Sequence, residues 1–328
     1  MILLKCCDIC GTFNLKENKY CTHCGNKFVT EHICPHCGEV NLDYATHCVK
    51  CQKQINPITI DDFDVLFSEY NQDLLLNATI SDFEYNQILS NIFIRADYLE
   101  IYGNTTKNKI LNFASAFTEC KPKSRGYERG YIFLGNCIYY DDRLDDSVQI
   151  ATIIHELAHY FLYNIIENLL CHIFKVRTSS TLQSFVWYFL TLPEFKIMNE
   201  YCAHTVEGRF VPYGFQNYGS FNALVKNMGC DEESINTMII FGNTFANEII
   251  TYLEKYIDDD LRQEIKVQYR KDLNSPTYES IFRETNDCLP LGLKNSTLIK
   301  ILYDIFKEAS QDNVRDDLKG IKEGIELN

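Results

Sequence analysis

The first 51 residues of this chain contain one cysteine pattern twice. Each copy has two C-x-x-C pairs separated by ten residues, and the second copy lies 27 positions after the first. The eight cysteines are Cys7, Cys10, Cys21 and Cys24, then Cys34, Cys37, Cys48 and Cys51. Two C-x-x-C turns complete a tetrahedral four-thiolate site with no open position. Segments this short have too little core to fold alone, so the pattern predicts two structural zinc ions that supply folding free energy.

This cysteine region resembles the double zinc ribbon family over about residues 6 to 52, and we assign residues 1–55 to it. It holds six lysines and no arginine against five acidic residues. Each four-thiolate zinc site adds a charge of about −2. A phosphate-binding surface needs clustered Lys and Arg, so a nucleic-acid partner is not expected. We expect the ribbons to dock a protein partner or substrate.

A second motif lies in an apolar stretch further along the chain. Residues 155–159 read His-Glu-Leu-Ala-His, and apolar residues on both sides predict a buried helix. His155 and His159 are four apart, so they share one helix face and can bind one ion, while Glu156 is offset and can reach a water. Buried histidines need partners, which a metal provides. The motif favours zinc-dependent peptide hydrolysis.

A catalytic zinc of this kind needs a third protein ligand. Thr191 to Glu194 has the form of a capping box with Pro193 in the first turn, which predicts a helix running to about Phe210. Glu200 lies on this helix and is one candidate for that ligand. The sequence leaves three alternatives open, namely His204, Glu207 and Glu248.

His155-Glu156-x-x-His159 together with Asn199-Glu200-x-x-x-His204 resembles the gluzincins, the thermolysin-type zincins, over about residues 110 to 215. The short spacing is similar to that of the compact minigluzincins. The resemblance implies that His155, His159 and Glu200 bind the catalytic zinc and that Glu156 is the general base.

The same resemblance indicates residues around the zinc ligands. The family has an aspartate that orients a ligand histidine from behind, and here His204 occupies its place. Gluzincins commonly stabilise the oxyanion with a Tyr or His, for which Tyr213 and Tyr218 are candidates. In zincins an edge strand beside the zinc pairs with an extended substrate.

The expected fold class is α+β, with two small tandem zinc ribbons followed by a mainly helical zincin-like domain with a small β-sheet. That domain covers residues 58–328, with a catalytic core at about 105–215 and a helical C-terminal part at about 222–310. Apolar periodicity and capping residues predict further helices, and alternation predicts two strands. The helices are expected at Asp61–Leu76, Ser81–Tyr102, Asp231–Tyr256 and Ser296–Ser310, the strands within Leu111–Phe117 and Tyr131–Tyr140, and a frayed charged tail at Gln311–Asn328.

The combined prediction is a zinc metallopeptidase that hydrolyses a protein or peptide substrate with a zinc-activated water and Glu156 as base. It requires one catalytic and two structural zinc ions, and an endopeptidase is favoured over an exopeptidase. The alternative is a non-catalytic protein-interaction module that retains a metal-bound zincin fold. No charge-free apolar stretch of about 18 residues is present and the start leaves no room for a signal peptide. We therefore expect no membrane association and a cytoplasmic location.

Overall fold

A computed structural model describes residues 4–7, 12–15, 21–24, 31–34, 36–42, 48–53, 55, 58–93, 99–123, 137–273 and 297–327. The chain divides into two compact units. Residues 1–59 with 175–177 form the first, and residues 60–174 with 178–328 form the second.

The described elements are mostly helices, accompanied by short two-stranded sheets. The strands are β1 (Leu4–Cys6), β2 (Phe13–Leu15), β3 (Glu31–Ile33), β4 (Val40–Leu42), β5 (Ile58–Thr59), β6 (Glu119–Pro122), β7 (Cys137–Tyr140) and β8 (Val176–Arg177). The helices are α1 (Phe63–Leu66), α2 (Glu69–Leu76), α3 (Asp82–Phe93), α4 (Thr106–Ala114), α5 (Asp146–Phe174), α6 (Ser180–Thr191), α7 (Pro193–Phe210), α8 (Gly219–Met228), α9 (Glu232–Leu253), α10 (Asp259–Asp272), α11 (Thr297–Ala309) and α12 (Asp312–Glu326). This composition fits the expected α+β class.

The first unit contains two matching hairpins. Strand β1 pairs antiparallel with β2, and β3 pairs antiparallel with β4 in the equivalent register. The turn between β3 and β4 holds Cys34 and Cys37. The amide of Cys34 donates to the carbonyl oxygen of Glu39, and the amide of Cys7 donates to that of Thr12 at the equivalent position of the first hairpin. Gly38 has φ +71°, a conformation that a residue without Cβ adopts at little cost. The first unit also contains β5, which pairs parallel with β8, so Ile58 and Thr59 belong to a strand.

Helix α5 forms the centre of the second unit. It is 29 residues long, and its buried positions surround most of its circumference, as expected for a helix packed on several sides. Phe161 on α5 lies 4.3 Å from Phe93 and 4.9 Å from Phe117, measured between ring centroids. The motif of residues 155–159 therefore lies on a rigid, buried helix, as its flanks predicted.

Helix α7 packs between α5 and α9. At the α7–α9 contact, a Cβ on Gly242 would lie only 2.7 Å from the carbonyl oxygen of Met198. The absence of a side chain at Gly242 thus lets α9 approach the backbone of α7. This contact sets the position of the helix that carries Glu200.

Two of the expected elements were wrong in kind. Leu111–Phe117 is not a strand, because Thr106–Ala114 is helix α4. The buried residues Ile110, Phe113, Ala114 and Phe117 recur at helical spacing, and the apparent alternation of Leu111, Phe113 and Phe117 coincided with it. The charged tail is helix α12, whose one apolar face buries Val314, Leu318 and Ile325.

Other boundaries differ locally. The expected Asp61–Leu76 helix is divided into α1 and α2 at Ser68, whose side chain caps α2. The capping box of Ser81 and Glu84 is confirmed, but α3 ends at Phe93 and Tyr102 is not helical. The predicted helices at 231–256 and 296–310 are confirmed as α9 and α11.

The small sheet beside α5 consists of β6 and β7, which run parallel with Cys137 opposite Glu119. Of the expected strand Tyr131–Tyr140, residues 131–136 lie outside the described residues. Among the described strands, the partner of β7 is β6. No helix in the described segments combines the length and apolar composition that a membrane span needs.

Candidate metal centre

His155, His159 and Glu200 meet where α5 faces α7. The two Nε2 atoms are 3.1 Å apart. The Glu200 carboxylate lies 3.7 Å from Nε2 of His155 and 4.0 Å from Nε2 of His159. One nitrogen or oxygen from each side chain therefore lies within 4.8 Å of the others.

These separations fit the donor set of a zinc ion. Tetrahedral ligands at the usual Zn–N and Zn–O lengths are about 3.3 Å from one another. Three donors from two helices leave a fourth position, which a catalytic site keeps for water. His155, His159 and Glu200 could hold such an ion.

The other ring nitrogen of each histidine is held by an acceptor. His155 Nδ1 lies 3.0 Å from Oε2 of Glu207, and His159 Nδ1 lies 2.7 Å from Oδ1 of Asn199. A carboxylate and an amide oxygen only accept, so each Nδ1 donates its proton, and in a neutral ring Nε2 carries a lone pair. Two lone pairs facing each other across 3.1 Å repel unless a proton or a cation lies between them. The site therefore requires positive charge at the place where a metal ion would bind.

The pKa shifts at the site agree with this requirement. Burial lowers the pKa of His155, but the hydrogen bonds to Glu200 and Glu207 outweigh it and raise the pKa to about 10. Burial raises the pKa of Glu200, yet the hydrogen bond from His155 and the charge of His159 lower it to about 2. The pKa of Glu207 is also lowered, because hydrogen bonds from His155 and His204 outweigh the effect of burial. The carboxylates are thus ionised and favour a cation beside them.

His204 lies behind the metal site. Its ring centroid is 4.6 Å from that of His155 in edge-to-face contact, and its Nδ1 is 3.4 Å from Oε2 of Glu207. Its Nε2 lies 2.8 Å from Oγ of Ser220. The group hydrogen-bonded to His155 is therefore Glu207, and His204 acts on the ligand through ring packing and through Glu207.

The alternative third ligands are placed apart from the three donors. His204 and Glu207 group with His155, but not with both ligand histidines. Glu248 is not in either group, and it lies near Tyr85. Glu200 is the acidic side chain that the fold brings to both His155 and His159. The capping box proposed at Thr191 was wrong, because Thr191 ends α6 and Leu192 precedes α7 without a side-chain cap.

A cleft of about 400 Å³ opens onto the candidate metal site. Helix α5 lines it with His155, Glu156, His159 and Tyr163, which recur at helical spacing on one face. Glu156 forms no hydrogen bond or ion pair with a described residue. Its carboxylate is therefore available to a molecule in the cleft.

The remaining walls come from three other elements. Helix α6 contributes Trp187 and Leu190, α7 contributes Lys196 beside Glu200, and β7 contributes Cys137 and Ile138. Strand β7 thus borders the cleft. Tyr213 and Tyr218, the candidates for stabilising an oxyanion, do not line it; Tyr213 is 86% exposed, and the ring of Tyr218 packs on His204.

The cysteines of the first unit also form clusters. The four sulfurs of Cys34, Cys37, Cys48 and Cys51 lie within 4.8 Å of one another, with two of the S···S distances at 3.6 Å. Tetrahedral zinc thiolates are about 3.8 Å apart. Cys7, Cys21 and Cys24 form the corresponding group, while Cys10 lies outside the described residues. Both clusters are compatible with zinc ribbons.

A buried asparagine supports each cluster. Asn14 and Asn41 occupy the same position in the two copies, and their amides lie 3.5 Å from Sγ of Cys21 and 3.7 Å from Sγ of Cys48. Their Oδ1 atoms accept from the amides of Thr22 and Val49, both at 2.8 Å. Each asparagine thus holds one hairpin against its second cysteine pair.

Four residues around these sites were not predicted in these roles. The 27-residue repeat relates Asn14 to Asn41, so extending the comparison beyond cysteine could have identified them. Glu207 follows Glu200 by seven residues on the same helix face, which is a usable signal for its role. Asn199 precedes Glu200 in the second motif, but its contact with His159 depends on how α7 packs on α5. No protein-family model, curated protein or solved structure matches this chain.

Proposed function

We propose that this protein is a zinc-dependent metallopeptidase. The observation that carries the proposal is the meeting of His155, His159 and Glu200 at the base of a cleft that Glu156 also lines. Three ligands, a free position and an adjacent carboxylate are the parts that metal-assisted peptide hydrolysis requires.

When bound by these residues, a zinc ion would supply a Lewis acid that activates water and polarises the scissile carbonyl. Glu156 accepts the proton of the attacking water and delivers it to the leaving amine. Glu207 and Asn199 hold the two imidazoles in the tautomer that presents Nε2 to the metal. The buried helix α5 keeps base and ligands in fixed relation.

Strand β7 offers a means of holding the substrate. An extended peptide that adds a strand beside β7 would lie along the cleft, because β7 borders it. This arrangement supports an endopeptidase, because a peptide added as a strand can extend beyond the metal site on both sides of the scissile bond.

For the first unit, we propose two structural zinc ions and a role in docking a protein partner or the substrate. Phe13 and Val40 are equivalent positions of the two copies, and both are exposed. Ile33 is the cross-strand neighbour of Val40 and is exposed as well. Solvent-facing apolar pairs on small hairpins are features of protein-binding surfaces.

The test compares the full-length protein with Glu156→Gln on denatured protein and peptide substrates, with zinc quantified in each. We expect a loss of turnover of about 10²-fold or more in the variant with zinc unchanged. Glu323→Gln, which alters an exposed carboxylate on α12, is the matched control and should retain full turnover. Equal turnover in wild type and Glu156→Gln, or none in either when zinc is present, would contradict the proposal and favour the non-catalytic alternative.

The metal content is a second test. The proposal requires three zinc ions per chain, and a His155→Ala, His159→Ala double variant should hold two. If the wild type and the double variant each held two zinc ions, the proposed catalytic zinc site would be ruled out.

A further inference from the structure

Lys196 lines the cleft, and its positive charge has no role in the mechanism proposed above. It lies four residues before Glu200 on α7, so the two side chains project from the same helix face, and both line the cleft. The separation along the helix axis is about 6 Å. The ammonium group of Lys196 is therefore a near neighbour of the metal site and is exposed to the cleft.

Glu200 stands where an acidic residue ordinarily forms an ion pair with Lys196, but its carboxylate faces the two histidines instead. A Lys and a Glu four apart on a helix commonly form an ion pair. Here the Glu200 carboxylate faces His155 and His159, and no described residue forms an ion pair with Lys196. Lys107 and Lys109 of the same unit show the contrast, since they pair with Asp146 and Glu264 at 2.9 and 2.6 Å.

Among the residues that line the cleft, the charged side chains besides the two histidines are Glu156, Glu200 and Lys196. The two carboxylates balance the charges of a divalent ion, and Glu207 lies behind His155 and does not line the cleft, so Lys196 is the positive side chain that a bound molecule would meet. The chain as a whole carries a formal charge of −14. A cleft with a local positive charge in an acidic protein favours an anionic group on the bound molecule.

Part of the lining of the cleft is apolar. Trp187 and Leu190 lie one turn apart on α6, and Ile138 lies on β7. Leu190 and Ile138 are buried, so this part of the lining is a formed surface, and it can receive a large apolar side chain.

We infer that Lys196 is a specificity-determining residue that binds a carboxylate of the peptide substrate one or two residues from the scissile bond, beside a large apolar residue held by Trp187 and Leu190. The inference rests on the proposed function. An extended peptide advances about 3.4 Å per residue, so a carboxylate one or two residues from the metal reaches the level of Lys196. The carboxylate comes either from an Asp or Glu side chain or from a free C-terminus.

Trp187 provides a readout that does not depend on turnover. It is the only tryptophan of the chain, and it lines the cleft. Peptide binding to zinc-loaded, full-length Glu156→Gln protein can therefore be followed by intrinsic fluorescence. The probes are an acetylated and amidated alanine octapeptide with Leu-Glu at its centre, the same peptide with Leu-Gln, and a Leu-Gln peptide that ends in a free carboxylate at the glutamine.

We expect the Leu-Glu peptide to bind about fivefold more tightly than its Leu-Gln counterpart, the effect of one partly exposed ion pair. Lys196→Met should remove the preference and Lys196→Glu should reverse it. Lys226→Met, an exposed lysine of α8 outside the cleft, should leave it intact. A larger gain in affinity for the free-carboxylate peptide would assign the carboxylate bound by Lys196 to a C-terminus. A gain in affinity for the Leu-Glu peptide would assign it to a side chain.

Equal affinity for all three peptides, or a preference that persists in Lys196→Met, would overturn the inference while leaving the hydrolase intact. A Lys196-dependent preference without hydrolysis by the wild type would overturn the hydrolase alone. Absence of binding by every peptide counts against both.

Discussion

The Nδ1–H of His155 on α5 donates to Oε2 of Glu207 on α7 across 3.0 Å. Glu207 lies seven residues beyond the proposed zinc ligand Glu200 on the same helix. A carboxylate behind a ligand imidazole fixes the tautomer and raises the basicity of the ring nitrogen that faces the metal. Glu207 is thus a positioning residue of the candidate centre, and it lies one turn past His204, the position that the sequence pattern indicated.

Glu207→Gln should weaken zinc binding at the candidate catalytic site by about 10- to 100-fold, because the amide keeps the shape but not the charge. Competition with a chelator of known affinity measures this, and zinc held by the ribbons should be unaffected. Glu323→Gln serves as the control on an exposed helix face. Unchanged affinity in Glu207→Gln would show that the contact has no role in metal binding.

Asn41→Ala should make the second ribbon lose its zinc more readily, by roughly tenfold in affinity, since the thiolate of Cys48 loses a donor. Burial raises the pKa of Cys48, but donors that include the amides of Cys51 and Lys50 and the side chain of Asn41 lower it to about 6. Chelator-induced zinc release from the purified protein measures the effect. Asn14→Ala is the equivalent change in the first ribbon and should affect that ribbon alone.

Gly242→Ala should destabilise the protein by about 1–3 kcal/mol, because the new methyl group would contact the carbonyl oxygen of Met198 and displace α7 from α9. Urea denaturation gives the free energy of unfolding. Gly320→Ala is the matched control, since its Cβ meets open space within α12, and it should stabilise the helix by about 0.5–1 kcal/mol. Equal effects of the two substitutions would contradict the close approach at Gly242.

Glu167→Gln should change how stability depends on pH. Glu167 is buried on α5, and burial raises its pKa above the ordinary value of 4.5, although hydrogen bonds from Thr178 and Gln183 oppose the shift. The folded state then binds the proton more tightly than the unfolded state, so stability declines as pH rises from the ordinary pKa through the folded one. The glutamine variant lacks this decline and should be the more stable protein at neutral pH.

Unfolding by urea at pH 7.5 and at pH 4.5 measures the difference between Glu167→Gln and the wild type. The advantage of the variant should shrink at the lower pH, because a larger fraction of Glu167 is protonated in the folded state there than at pH 7.5. An advantage of equal size at both values would rule out the burial of a charged carboxylate as its cause.

The sequence predicted the parts of the site that depend on local spacing. The motif of residues 155–159 is helical because its apolar flanks recur with one period. Glu200 lies on α7, the helix that was expected to run to about Phe210. Helix α4 was missed because Phe113 and Phe117 satisfy both a two-residue and a four-residue spacing, and burial decides between them. The apolar part of the cleft lining was not foreseen, since Trp187 and Ile138 line one cleft only because α6 and β7 both pack on α5.

Helix α7 carries Lys196, Asn199, Glu200 and Glu207. A small slide or rotation of α7 would move all four side chains together. It would therefore change the proposed metal binding, the alignment of the two imidazoles and the proposed substrate preference at the same time. Substitutions at the remote α9 contact should accordingly change metal affinity and peptide preference in correlated fashion.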